Sequence, residues 1–345
     1  MANLLISGVC NLRCPYCFAG HHLAEYRRRA DSPFIALDIF EDRLDFLDRS
    51  GINEIRLIGG EPTLHPQFPE IIRRAAQRGK HIVVFSHGLM PERAAASLEA
   101  LPVGRCTVLV NTNAARSPDG PSPKEHARRL AVLRRLGARA FPGFNIYAPD
   151  CSLDFLLPLV LETGCRKTVR LGLAAPTAGG DNVYLHPKQY PFVGAKIVRF
   201  ARQAARSGIR VEFDCGFVRC MFSEADLDTL REAGADVGWR CSPVLDIDVT
   251  GQAVHCFPLA NLAALPLDHA GTAGALRDEL AARMQPYRAA GIYKTCSTCR
   301  CKQNGECTGG CLAATMRRFR HEPIRIVVPQ AETRAPADAS DVIMA

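Results

Sequence analysis

"NLLISGVCNLRCPYC", residues 3–17, joins a short apolar run to three cysteines within the first seventeen positions. The run Asn3 to Ile6 reads as a first strand, so Cys10, Cys14 and Cys17 fall on the loop leaving it. Three thiols so close together pose a choice between disulfides and metal. The chain holds fifteen cysteines, an odd number, and "MANLLISG" lacks the charged region and long apolar core of a secretory signal. Both facts point to the reducing cytoplasm, where clustered thiols more often bind metal than pair.

Outward from this strand, residues 52–213 repeat one rhythm, in which short β-branched runs alternate with amphipathic segments closed by glycine. The first amphipathic segment carries Leu37, Phe40, Leu44 and Leu47 on one face and stops at Gly51. Next come "EIRLI", a helix with Phe68, Ile71, Ile72 and Ala75 ending at Gly79, then "HIVVF", "CTVLV", "ARAF…FNIY", "TVRLGL" and "IRVEF". Helical patterns cover about 124–136, 153–163 and 187–207, the last with Val193, Ile197, Phe200 and Ala204 facing inward. Six such units before residue 216 predict an α/β fold, a partial (β/α)6 TIM-like barrel with its chemistry on the loops after the strands.

Composition fits a protein with a substantial core: 345 residues, 47% apolar, net charge +8. No apolar stretch reaches the roughly 18 residues of a membrane span. "YRRRA" at 26–30 and "MRRFRHEP" at 316–323 read as solvated faces rather than a nucleic-acid surface. Cys106, Cys151 and Cys165 fall on strand or helix patterns and read as ordinary thiols.

The spacing C-x3-C-x2-C offers three thiolates from one tight loop, which suits three corners of a cubane iron-sulfur cluster and leaves one iron open to chelate a ligand. A structural zinc site normally wants four protein ligands. "GGEPTLHP", residues 59–66, ends the next strand, where two glycines allow close backbone approach and a carboxylate can pair with an ammonium group.

On "CNLRCPYC" and "GGEP" the sequence resembles the radical S-adenosylmethionine (SAM) superfamily. The resemblance implies a 4Fe-4S cluster on Cys10, Cys14 and Cys17, and Tyr16 against the adenine. Gly59, Gly60, Glu61 and Pro62 would form the motif that holds the methionyl amino group. By the same resemblance Ser86, Asn111, Asn113 and Asn145 are candidates for ribose contacts and Arg170 for a carboxylate, while each also fits an ordinary cap, turn or ion pair. His21, His22 and His65 lie close by and read as surface residues. No acid or base is singled out.

Past the barrel, "CSPVLDIDVTGQAVHC" from Cys241 to Cys256 reads as a hairpin turning at "DVTG", and "CSTCRCKQNGECTGGC" adds Cys296, Cys299, Cys301, Cys307 and Cys311 after a helical stretch near 276–284. Many thiols in a segment poor in core residues suggest folding around metal, with zinc as the rival to iron-sulfur. The pattern resembles the SPASM extension, which implies two auxiliary 4Fe-4S clusters, though the middle gap of the second motif is longer here. Cys296, Cys299, Cys301 and Cys307 are expected around one cluster and Cys241, Cys256 and Cys311 around the other, with Cys220, or less favourably Cys215, as its fourth ligand.

The expected organisation is a radical SAM partial barrel at 1–218, a small Cys-rich α+β auxiliary-cluster domain at 219–320 and a mostly flexible tail at 321–345. The resemblance implies reductive cleavage of SAM to a 5'-deoxyadenosyl radical and hydrogen abstraction from a substrate. A peptide undergoing crosslinking, epimerisation or oxidation is the first choice; a sugar, amino acid or cofactor precursor is the alternative, and a zinc-containing nucleic-acid-binding protein the distant one. An electron donor such as flavodoxin or ferredoxin is implied as partner. Because the chain opens on the first strand, leader-peptide recognition is expected to need a separate protein or a very short precursor.

Overall fold

The computed structural model describes residues 1–29, 32–113, 122–177, 181–235 and 237–319. Its centre is a run of seven parallel strands, β1 (Ala2–Ser7), β2 (Glu54–Gly59), β3 (His81–Ser86), β4 (Cys106–Asn111), β5 (Ala140–Ile146), β6 (Thr168–Leu173) and β7 (Arg210–Phe213). Six strand-helix units and a closing strand match the rhythm of the sequence. The second edge of β1 is taken by a strand from far along the chain, β8 (Leu245–Ile247), also parallel, and Asn3 Nδ2 donates to Asp246 Oδ1 across that seam at 2.6 Å. From β8 the chain turns back through β9 (Gln252–Val254) to β10 (Ala264–Pro266), both pairings antiparallel. Strand order is β10-β9-β8-β1-β2-β3-β4-β5-β6-β7, an open sheet.

The sheet curls. Arg170 on β6 sits with its guanidinium carbon 5.4 Å from the ring centre of Phe85 on β3, whereas three strand spacings in a flat sheet would be about 14 Å. Helices cover the convex side by burying the faces their periodicity exposes. Helix Leu37–Arg49 buries Phe40, Leu44, Phe46 and Leu47, and helix Phe68–Gln77 buries Phe68, Ile71, Ile72 and Ala75. Each large side chain so buried contributes about 1.5–3 kcal/mol.

Helix boundaries differ modestly from the periodicity. Pro123–Leu136 starts in a capping box of Ser122 and Glu125, Leu156–Thr163 starts three residues later than expected and ends at Gly164 (φ 65°), and Tyr190–Arg206 follows a separate 3-10 turn at Pro187–Gln189. The stretch near 276–284 extends to Ala273–Arg288. Helices Gly20–Arg29, Glu92–Glu99, Glu224–Glu232 and Leu312–Arg318 had no clear signal.

The first of these matters to the site. Helix Gly20–Arg29 places Leu23 and Tyr26 in a small apolar cluster with Leu5, Ile58, Val254 and Phe257, and Cys17 packs against it. Tyr26 donates to Asp248 at 2.9 Å. The "YRRRA" run, expected as a solvated face, therefore begins on a buried anchor, because a phenol with a partner for its hydroxyl gains from burial. Cys106 and Cys165 are buried and Cys151 half-buried, as their patterns suggested. The expected tail at 321–345 lies outside the described residues. No helix among the described residues is long and apolar enough to cross a membrane.

Candidate functional site

The loop carrying Cys10, Cys14 and Cys17 is held by the turn after β2. Gly60 N–H donates to Ser7 O at 2.8 Å and Glu61 N–H to Val9 O at 2.7 Å, extending the β1–β2 ladder past the strand ends. A side chain at Gly60 would put its Cβ 2.4 Å from Val9 O and 2.8 Å from Cys10 Cβ; at Gly59 it would lie 2.5 Å from Ser7 O. Only glycine lets the two loops approach this closely. Within the cysteine loop Cys17 N–H donates to Cys14 O at 3.1 Å, and Leu12 N–H points at Cys10 Sγ at 3.4 Å.

Burial pushes the Cys10 thiol up to about 11; the Leu12 N–H opposes this, and the charges of Glu61, Cys17 and Cys14 add to it. Burial raises the Cys17 thiol as well, and thiols that resist ionisation alone suit a site where metal ligation trades protons for metal. The donor set, its crowding and the glycine cradle thus fit a cluster held by three thiolates. Among the described residues, no three Cys, His, Asp or Glu side chains stand close enough together to hold a single metal ion.

Glu61 is fully buried. Its carboxylate accepts from Thr63 N–H (3.3 Å), Thr63 hydroxyl (2.5 Å), Ser86 hydroxyl (2.8 Å) and His87 N–H (2.9 Å). A buried carboxylate needs such donors, and they turn it inward, while the N–H groups of Gly60 and Glu61 are committed to the cysteine loop. Pro62 begins the short 3-10 turn that Glu61 caps. Ser86, a candidate for the ribose, is likewise 2% exposed and spent on Glu61 and on Gly88 N–H (3.0 Å).

His87 binds the two loops together. Leu89 N–H donates to its Nδ1 at 3.1 Å, so Nε2 carries the proton and donates to Asn11 Oδ1 at 2.7 Å, with Glu61 Oε2 at 3.1 Å. Burial lowers its pKa against the pull of Glu61, which favours the neutral ring. Behind it Arg129, 5% exposed, donates from Nε to His87 O at 2.7 Å, while its Nη1 has no hydrogen-bond partner among the described residues. Periodicity could not single out Asn11, His87 or Arg129, because a polar residue meeting a loop far away in sequence leaves no local pattern.

Tyr16 stacks on Tyr147 (centroids 4.7 Å apart, planes at 19°) and donates to Asn113 Oδ1 at 3.0 Å. One face of the ring expected beside the adenine is therefore taken. Asn111 and Asn145 share a device: each faces a glycine in the register of the next strand, Gly143 and Gly172, and each amide oxygen leans over that glycine, 3.1 and 2.4 Å from where a Cβ would be. Arg170 is ion-paired with Asp214 at 2.6 Å. His22 and His65, read as surface residues, are 4% and 1% exposed; His65 Nε2 lies 2.8 Å from Ile35 O.

The later cysteines neighbour one another in two places. Cys215, expected as the less favoured ligand and exposed at its surface like Cys220, is the neighbour of Cys241, Cys256 and Cys311, whose charges, after desolvation by the surrounding protein and Asp214, raise its thiol. The exposed Cys220, expected there, instead lies beside Cys296, Cys307 and Cys299. Cys301, expected in the second group, interacts most strongly with Glu306 and Arg219. After β7 the chain passes Cys311 at Gly216 before it reaches the 3-10 turn Arg219–Met221 that carries Cys220.

Residues 4–148 match the family model of the radical SAM superfamily. That segment is similar to the radical SAM superfamily. Among curated relatives, it is 34% identical over 87 residues to an S-adenosylmethionine-dependent nucleotide dehydratase of Thermoplasmatales archaeon (strain ISO4-H5), covering 25% of this chain and 29% of that protein. It is 28% identical over 155 residues to GTP 3',8-cyclase 1 of Mycobacterium tuberculosis (strain CDC 1551 / Oshkosh), 42% of each chain. The chain thus spans less than half the length of either relative. Its fold matches Streptococcus suis SuiB bound to precursor peptide SuiA (TM-score 0.67, 12% identity, 92% of this chain and 72% of that one). It also matches anSMEcpe with bound AdoMet and Kp18Cys peptide (TM-score 0.62, 15% identity, 90% and 89%). The family that this segment matches is one of enzymes that use SAM and a 4Fe-4S cluster.

Proposed function

We propose that this radical SAM enzyme acts on a peptide, installing a crosslink, an epimerised centre or an oxidised side chain. Cys10, Cys14 and Cys17 would hold the cluster, which, given one electron from a flavodoxin- or ferredoxin-type donor, would supply reductive cleavage of bound SAM and hydrogen-atom abstraction from a substrate carbon. The protein's part is placement. The Gly59-Gly60 turn brings backbone within reach of the cysteine loop, Tyr16 and Asn113 present a ring and an amide beside it, and Asn111 and Asn145 line the mouth. Asn182 fastens the β6 loop over it by donating to Tyr16 O at 3.3 Å and Ala175 O at 2.8 Å, which helps exclude water from a radical.

The observation that carries the reading is the docking of the Gly59–Glu61 turn onto the cysteine loop. Peptide as substrate class is supported by the two further cysteine groups and by a fold shared along nearly the whole chain with enzymes solved with peptides. The GTP 3',8-cyclases among the relatives favour a second reading, a nucleotide or other small molecule. The reading includes one auxiliary cluster at each later cysteine group, with residues 219–320 as their domain, a flavodoxin- or ferredoxin-type donor and cytoplasmic residence.

The test is anaerobic reconstitution with iron, sulfide, SAM and reductant. Release of 5'-deoxyadenosine is expected from the native chain and none from the Cys10→Ala, Cys14→Ala, Cys17→Ala triple variant, which should retain most of its other iron. Turnover with GTP but not with peptides encoded beside the gene would move the assignment to the small-molecule reading.

A further inference from the structure

Two short segments of the chain carry paired thiols into the region after β7: Cys215 and Cys220 in "CGFVRC", and Cys307 and Cys311 in "CTGGC". They are packed on each other. A Cβ at Gly216 would lie 3.8 Å from Cys311 Cβ, so the residue after Cys215 touches Cys311. A Cβ at Gly310 would lie 3.1 Å from Val218 Cγ1 and 3.0 Å from Ile292, so the turn bearing Cys220 lies against the strap between Cys307 and Cys311. A Cβ at Gly291 would lie 2.8 Å from Cys296 Sγ and 3.3 Å from Gly309 O, which closes the second group around the same strap. Cys241 N–H donates to the Thr308 hydroxyl at 2.7 Å, fixing the first group to the strap from the other side.

We infer that the two auxiliary sites divide the thiols as Cys215, Cys241, Cys256 and Cys311 on one side and Cys220, Cys296, Cys299 and Cys307 on the other, with Cys301 bound to neither. This rests on the auxiliary-cluster reading above and changes its ligands. Each of the two packed segments then gives one thiol to each site, and no thiol from beyond residue 311 is required.

Cys301 stands apart on several counts. It belongs to the one-turn helix Arg300–Gln303, and its carbonyl accepts from Glu306 N–H at 2.9 Å and Cys307 N–H at 3.1 Å, closing a tight turn. Its thiol faces the Glu306 carboxylate, a poor neighbour for a second anionic ligand. Cys307 Sγ, by contrast, receives Gly309 N–H at 3.3 Å, the kind of donor that supports a ligating sulfur.

The experiment uses the full chain, reconstituted anaerobically with iron and sulfide, desalted and treated with iodoacetamide without denaturant, then mapped by mass spectrometry. Cys301 is expected to be alkylated and Cys215 and Cys220 protected; in metal-free protein all three should react. In parallel, Cys301→Ala should keep the iron and sulfide of the parent, while Cys220→Ala should lose about four irons, one cubane. Protection of Cys301 with alkylation of Cys220, or iron loss from Cys301→Ala alone, overturns the assignment. Because alkylation is read on the unaltered chain, a variant that fails to fold does not decide the matter. A parent chain that binds only about four irons in all would instead sink the auxiliary-cluster reading, so the two failures are distinct.

Discussion

Arg170 on β6 and Asp214, just past β7, are joined by a 2.6 Å ion pair, and the same guanidinium lies over the ring of Phe85. A side chain engaged on two sides is a strut across the mouth of the sheet before it is a receptor for a carboxylate. If Arg170 acts through this pair, Arg170→Ala and Asp214→Ala should impair catalysis to similar extents, and the double variant should do little worse than either. The pair is partly exposed, so a coupling energy of about 1 kcal/mol is expected from the stability cycle. A Michaelis constant raised only by Arg170→Ala would mark the arginine as a substrate contact instead.

Gly60→Ala should be among the most damaging one-methyl changes in the chain. The added carbon meets backbone at Val9 as well as Cys10 Cβ, and neither can yield without moving the cysteine loop. A stability loss of about 1–3 kcal/mol is expected, together with loss of the four irons assigned to that loop. Gly104→Ala, with nothing within 4 Å of its new carbon, is the control and should leave melting temperature and iron content unchanged.

Asn182 accepts from Thr177 N–H at 2.9 Å and the Thr177 hydroxyl at 2.6 Å while donating to Tyr16 O and Ala175 O, and Val183 N–H donates to Pro15 O at 2.9 Å. Asn182→Ala removes four of these five bonds. Amide exchange at Thr177 should accelerate at least tenfold, with little change in the melting temperature set by the core. Uncoupled turnover, in which 5'-deoxyadenosine exceeds modified substrate, should rise. Unchanged exchange would show that the loop is held elsewhere.

Asp246 gives a pH signature. Burial raises its pKa to about 7, against the opposing bonds from Asn3 and Phe257 N–H. The folded chain therefore holds a proton that the unfolded chain releases near the ordinary carboxylate range. This contribution to stability is fully present below about pH 4 and is lost as pH rises through about 7. Asp246→Asn should flatten that slope; it should also cost about 1 kcal/mol, because an amide cannot accept from both Asn3 and Phe257. Denaturant midpoints of parent and variant between pH 5 and 8 measure both. Parallel curves would show that Asp246 does not titrate in this range.

The parallel strands and outer helices were legible because their signals are local: β-branched runs, apolar residues at helical spacing, a glycine where a helix stops. Cys10, Cys14 and Cys17 were legible for the same reason, since their spacing lies within eight residues. What escaped depends on distance along the chain. Helix Gly20–Arg29 carries a charged run that hides its buried Leu23 and Tyr26. Ser86 reads as a free hydroxyl until the buried Glu61 claims it. The division of the later thiols follows from where Gly216 and Val218 meet the strap at Gly310 and Cys311, a juxtaposition that spacing cannot express.

The seam between β1 and β8 bears on the order of events during synthesis. The strand that leads into the cysteine loop is synthesised well before its second partner: Asn3 and Asp246, bonded across the seam, are 243 residues apart. Until Leu245–Ile247 emerges, β1 can pair only with β2 and keeps an open row of amides and carbonyls, the kind of edge that invites association between chains. Iron loading at Cys10, Cys14 and Cys17 would then be a late event, following translation of the hairpin that seals the strand.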